Sequence, residues 1–262
     1  GCDYSPAAGL AKMPSDQLTK AGEAIQLYKE ANRALDRFEH RANNSIRAIY
    51  GLWEANSDGD DIVIDHRLRL ATLRSQELDA KGNTLSLSDF IAPVESGVTD
   101  YIGTFAVTAG AEIEAMIAEN KAADEDYRAI LYQTLSDRLA EAATELLHSR
   151  IRNTYWGYTY DVAEMENPRH LLRQYYKGIR PAVGYPSLPD QSEIFDIDSI
   201  MPLCSIGISL TENGAMSPAA STCGLIIAHP ESRYFTLGPI GDDQADDYQR
   251  RRAKARENNS TI

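Results

Sequence analysis

No stretch of this chain approaches the roughly 18 consecutive apolar residues that a membrane-spanning helix needs, so no span is expected. Cysteine is scarce too. Cys2, Cys204 and Cys223 are too few for a disulfide framework and lack the C-x-x-C spacing of a metal cluster, which suits a reducing cytoplasm. Cys2 stands where a lipid-modified cysteine would begin, but no hydrophobic targeting segment precedes it, and no anchor is expected. Positive charge is in deficit. Lys and Arg number 26 against 39 Asp and Glu, and the net charge of -13 argues against nucleic acid or an anionic membrane surface as the main partner.

Familiar chemical motifs are missing as well. Neither G-x-G-x-x-G nor G-x-x-x-x-G-K-[ST] occurs, which disfavours an ordinary nucleotide-binding fold. His40, His66, His148, His170 and His229 are scattered without H-E-x-x-H, so no protein-held metal is expected. No G-x-S-x-G marks a nucleophile.

What is present reads as an interspersed helix and strand pattern. Residues 16–40 carry Ile25, Tyr28, Ala31, Leu35 and Phe38 at helical spacing. Apolar runs at 45–55 and 61–64 flank NSDGD and predict a hairpin, and YIGTFAV at 101–107 predicts a strand. Helices are expected over 110–120 and 124–152. In the second, Tyr127, Leu131, Leu135, Leu139, Ala142 and Leu146 form the apolar stripe, with Glu141, Glu145 and His148 on other faces. A short helix is predicted over 168–176, three short strands over MPLCSIGISL, STCGLIIAH and RYFTLGPI, and a closing helix over about 242–257. The acidic start and basic end of that helix complement its dipole, so its arginines read as a solvated terminus. Without a βαβ rhythm, the fold class is α+β.

The segment RPAVGYPSLPD at 180–190 combines three prolines, a glycine, an arginine and a tyrosine. Such a stretch is a shaped loop rather than helix or central strand. Arg180 offers a planar fork suited to a carboxylate, and Tyr185 a flat face with a hydroxyl at its edge. A small zwitterionic or aromatic ligand would fit. A rigid turn with a surface ion pair fits the segment equally well.

Four segments in order resemble the activation domain of cobalamin-dependent methionine synthase: DFIAPVESGVTDYIGTFAVTAG (89–110), DRLAEAATELLHSRIRNTYWGY (137–158), YKGIRPAVGYPSLPD (176–190) and AHPESRYF (228–235). The resemblance covers almost the whole chain and implies one C-shaped domain over 1–262, a mainly antiparallel central sheet flanked by helices. In that family S-adenosylmethionine lies in an extended groove. Carried onto matching positions, the resemblance implies binding by Glu141, Arg180, Ala182, Gly184, Tyr185 and Tyr234. DYSP at 3–6 resembles a shortened form of the segment that contributes a binding aspartate, which makes Asp3 a further candidate, and residues 1–12 a shortened N-terminal segment.

Two departures stand out. Gln174 occupies a position where the family usually has a glutamate, keeping hydrogen bonds to the ligand but losing Coulombic attraction to its positive charge. ENGAMSPAASTCG (212–224) is smaller than usual, as a close corrin approach or a tight turn would allow.

The resemblance further implies the family's chemistry. A flavodoxin-type donor supplies an electron and S-adenosylmethionine a methyl group, converting inactive cob(II)alamin, held by a separate cobalamin-binding domain, to methylcobalamin. Positioning is then the whole task, in keeping with a site that has no catalytic residues of its own. A stand-alone activator of another corrinoid protein, or a docking module for the electron donor without ligand binding, are the alternatives.

Overall fold

The computed structural model describes residues 15–42, 45–79, 81–160 and 176–259. Asp3, Gln174 and nearly all of the helix expected over 168–176 lie outside them. Among the described residues no helix is long and apolar enough to cross a membrane.

After helix α1 (Ser15–Arg41) come strands β1 (Arg47–Asp58), β2 (Asp61–Ile64), β3 (Leu68–Ala71) and β4 (Asp100–Thr108). Helices α2 (Ala111–Ala122) and α3 (Asp126–Arg150) follow, the latter running into a π turn at Ile151–Tyr155. The last third holds α4 (Glu193–Ile200), the short pair β5 (Ser209–Leu210) and β6 (Met216–Ser217), then β7 (Ser221–Ile226) and α5 (Asp242–Asn259). The main sheet is antiparallel throughout, in the order β3-β2-β1-β4-β7. The α+β expectation with an antiparallel sheet holds, and the Asp-Gly turn forms where expected, with Gly59 at φ +61.

Strand alternation divides the core. Ile102 and Ala106 of β4 and Cys223 and Leu225 of β7 face one cluster, which α4 completes with Ile194 and Ile197. Phe105, Val107 and Ile226 point the other way, against Ala143, Leu147 and Ile151 of α3 and its extension. Each fully buried side chain of this size contributes roughly 1.5–3 kcal/mol, so both faces anchor β4 at the centre.

Three expectations need correction. The buried line of α3 is Ala129, Tyr132, Ser136, Ala140, Thr144 and His148, while Tyr127 and Leu146 are exposed. Leu131, Leu135 and Leu139 are only partly buried, beside α1 and α2. Small residues let packed elements approach closely, and Ala129 and Ala140 are buried in the cluster with α1 and α2, so the most apolar stripe is not the most buried one. Secondly, of the three strands expected late in the chain only STCGLI forms one in the main sheet. Leu203–Ile206 is a 3-10 turn, and residues 233–240 join no ladder and turn at Gly238, with φ +69. Finally, the arginines of α5 are not simply solvated. Arg251 pairs with Asp61 and Asp247, and Arg252 is buried among Asp190, Glu193 and Asp196.

Candidate functional site

The loop at 180–190 is laid down by the free edge of β7. Ile179 and Ile227 exchange both backbone hydrogen bonds at 2.9 Å, Leu225 N–H donates to Pro181 O at 2.9 Å, and Val183 N–H donates to Cys223 O at 3.0 Å. Because bonding alternates along an extended segment, the intervening residues Arg180 and Ala182 turn their backbone groups away from β7. Arg180 N–H donates to the Tyr234 hydroxyl at 3.0 Å, and Ala182 O accepts from Tyr185 N–H at 3.2 Å.

Two glycines make this path possible. A Cβ on Gly224 would stand 2.2 Å from Pro181 O and 2.7 Å from Ala182 Cα, so only glycine lets the loop lie this close. Gly184 has φ +84, and its N–H closes the turn onto Leu188 O at 2.8 Å.

Along this loop opens a groove of about 1030 Å³ between α3, the loop and the 234–236 segment. Glu141, Arg180, Ala182, Tyr185 and Tyr234 all line it. Gly184 does not line it but sets the turn between Ala182 and Tyr185. Asp3 and Gln174 fall outside the described residues. Asp137, one helical turn before Glu141, adds a second carboxylate to the same wall. Glu141 is exposed and pairs with Arg138 at 2.6 Å, a contact that leaves it open to solvent and to a ligand.

Arg180 is held from behind by residues that its sequence context did not reveal. Nη2 donates to Glu145 Oε1 at 2.5 Å, and Nη1 donates to the Tyr176 hydroxyl at 3.0 Å and to His148 Nδ1 at 3.3 Å. Both members of the Arg180–Glu145 pair have side chains less than one-fifth exposed. Burial works against the guanidinium charge, but the Glu145 bond and the neighbouring Tyr176 more than offset it, so its pKa lies above the ordinary arginine value. His148 is driven the other way: burial first, then Arg152 and Arg180, hold it well below the usual histidine range and therefore neutral.

Sequence did carry a signal for this cradle. Glu141, Glu145, His148 and Arg152 recur at three- and four-residue spacing on α3 and its extension, a polar stripe along one side of the helix.

Residues 9–253 match the vitamin B12 dependent methionine synthase activation domain. The chain belongs to this family. A crystal structure of the MetH reactivation domain bound to AdoHcy is similar to the present activation domain at a TM-score of 0.81 and 40% identity, over 89% of this chain and 74% of that one. The groove of this activation domain is thus lined by all four segments that carry the family resemblance: Phe105 of β4, α3, the 180–187 loop and the stretch through Tyr234.

Proposed function

We propose that this activation domain binds S-adenosylmethionine in the groove along residues 180–185 and supports the reductive methylation of cob(II)alamin to methylcobalamin in cobalamin-dependent methionine synthase. One observation carries the reading. Glu141, Arg180, Ala182, Tyr185 and Tyr234, expected from separate segments, converge on a single groove.

The geometry of the described residues supports the following roles. Three of the five N–H donors of Arg180 are engaged by Glu145, Tyr176 and His148, and the other two have no partner among the described residues. They are suited to a bidentate bond with the methionyl carboxylate. Glu141, with Asp137 beside it and Asp3 as a third candidate, favours the ligand's ammonium and sulfonium charges. The outward N–H of Ala182 reads the adenine edge, and Gly184, whose N–H is committed to Leu188 O, holds the turn that presents it. Tyr185 and Tyr234 are 63% and 54% exposed, leaving ring faces for a flat or cationic group. Gln174 contributes hydrogen bonds without charge.

The far wall of the groove carries Ala219, Ala220, Ser221 and Thr222, small side chains that leave room for a broad planar group beside the bound methyl donor. Cobalamin, held by its own domain of methionine synthase, supplies the nucleophilic cobalt; this domain supplies position, and by itself makes no methionine. A flavodoxin-type protein is the proposed electron donor. Free Cys204 and Cys223 support a cytoplasmic setting, and the family match over 9–253 supports one domain across 1–262.

Calorimetric titration of the chain with S-adenosylmethionine tests the reading. Saturable binding that weakens at least tenfold in Arg180→Ala is expected, and absence of binding by the wild-type chain contradicts it.

A further inference from the structure

A guanidinium receives a carboxylate in a fixed geometry only if its plane is fixed. Arg180 has an internal competitor for that task, because Glu145 already holds Nη2. What keeps Nη1 from turning toward the same carboxylate is the pair Tyr176 and His148, which accept its hydrogens at 3.0 and 3.3 Å.

His148 is 1% exposed. Arg180 can only donate, so Nδ1 is the bare, accepting nitrogen. The ring proton then sits on Nε2, 3.2 Å from the Tyr158 hydroxyl. The Tyr176 ring meets the imidazole edge-on at 5.2 Å, and the Arg152 guanidinium covers the other ring of that contact, 3.6 Å from the Tyr176 centroid. Tyr158 in turn stands over Gly178, where a Cβ would meet its hydroxyl at 2.6 Å. A chain of contacts therefore runs from the start of the ligand loop, through Tyr158 and His148, to the guanidinium.

We infer that His148 is a positioning residue for S-adenosylmethionine: as the neutral Nε2–H tautomer it accepts from Arg180 Nη1 and keeps the guanidinium from closing on Glu145, so that its open edge faces the groove. This inference rests on the proposed role of Arg180 as the carboxylate receptor.

The test titrates S-adenosylhomocysteine into the full chain carrying His148→Leu or His148→Asn, with thermal unfolding of each, and assigns the His148 tautomer by 15N NMR. Leucine removes the acceptor, and the asparagine carbonyl restores it near Nδ1. Binding is expected to weaken about tenfold in His148→Leu and to return to within about threefold of wild type in His148→Asn, the loss of one charge-assisted contact. Unfolding temperature should not follow that order, because asparagine does not restore the Tyr158 contact. Wild-type affinity in folded His148→Leu, no recovery in His148→Asn, or a proton on Nδ1 overturns the inference. If His148→Leu does not fold, the asparagine variant and the tautomer decide. Unchanged affinity in Arg180→Ala would instead overturn the role of Arg180 itself, whereas a loss there with none in His148→Leu overturns only the role of His148.

Discussion

Replacing Gly224 by alanine places one methyl group where the ligand loop lies on β7. The new Cβ would stand 2.2 Å from Pro181 O, against the 3.4–4 Å of an ordinary contact, so the loop must retreat by roughly 1 Å or more. The bonds Leu225 N–Pro181 O and Val183 N–Cys223 O, now 2.9 and 3.0 Å, then stretch beyond useful length. Two such bonds contribute about 1 kcal/mol each. Overpacking adds about 1–3 kcal/mol, less whatever the loop relieves by moving. A stability loss of about 2–4 kcal/mol is expected in denaturant unfolding.

The same retreat carries Arg180 and Ala182 off their groove positions, and a misplacement of about 1 Å weakens ligand binding by ten- to a hundredfold. Gly51→Ala provides the comparison. Its Cβ would meet the Trp53 ring at 2.5 Å on β1, two strands from β7, so it should cost stability and leave affinity for S-adenosylhomocysteine intact when both are measured well below the unfolding temperature. Wild-type affinity in Gly224→Ala would refute the claim that the β7 edge positions the loop.

Other perturbations separate stability from binding. Arg180→Leu strands the Glu145 carboxylate, only 17% exposed, and should cost about 3 kcal/mol; adding Glu145→Leu should recover most of the stability and none of the binding, as read by unfolding and titration. Glu141→Gln should weaken S-adenosylmethionine two- to fivefold at low salt but leave uncharged-sulfur S-adenosylhomocysteine less affected, and the difference should fade by about 1 M salt. Stability should also depend on pH through Glu193, whose carboxyl is pushed up from 4.5 to about 8 by burial, with Asp196 and Asp190 adding to the rise against the opposing pull of Arg252. The native state holds its proton more tightly than the unfolded chain, so this contribution is complete below the unfolded value and is lost as pH climbs from about 4.5 to 8. Unfolding of Glu193→Gln at several pH values should show a shallower decline over that window, and an unchanged slope would contradict the assignment.

Legibility followed the range of the interactions. The hairpin of β1 and β2 and the strand β4 were readable because alternation and the Asp-Gly turn are local signals. The buried face of α3 was not, since hydrophobicity alone favours Leu131, Leu135 and Leu139 over the small and polar residues that are buried there. Arg251 and Arg252 looked solvated because the partners that bury them are remote in sequence; Asp61 is 190 residues from Arg251. RYFTLGPI has strand composition, but Tyr234 accepts from the Arg180 backbone and Leu237 O accepts from Gln76 N–H, so the segment straps the loop instead of entering a ladder. Within the groove, the lining residues came from family resemblance, whereas the cradle of Glu145, His148 and Tyr176 required the folded arrangement.

The central claim is most directly tested by a crystal structure of the chain with S-adenosylhomocysteine. The ligand is predicted to lie along residues 180–185, its carboxylate on Arg180 and its adenine edge at the Ala182 N–H, with the Arg180–Glu145 pair retained. A ligand bound elsewhere, or one in this groove whose carboxylate avoids Arg180, would contradict the account.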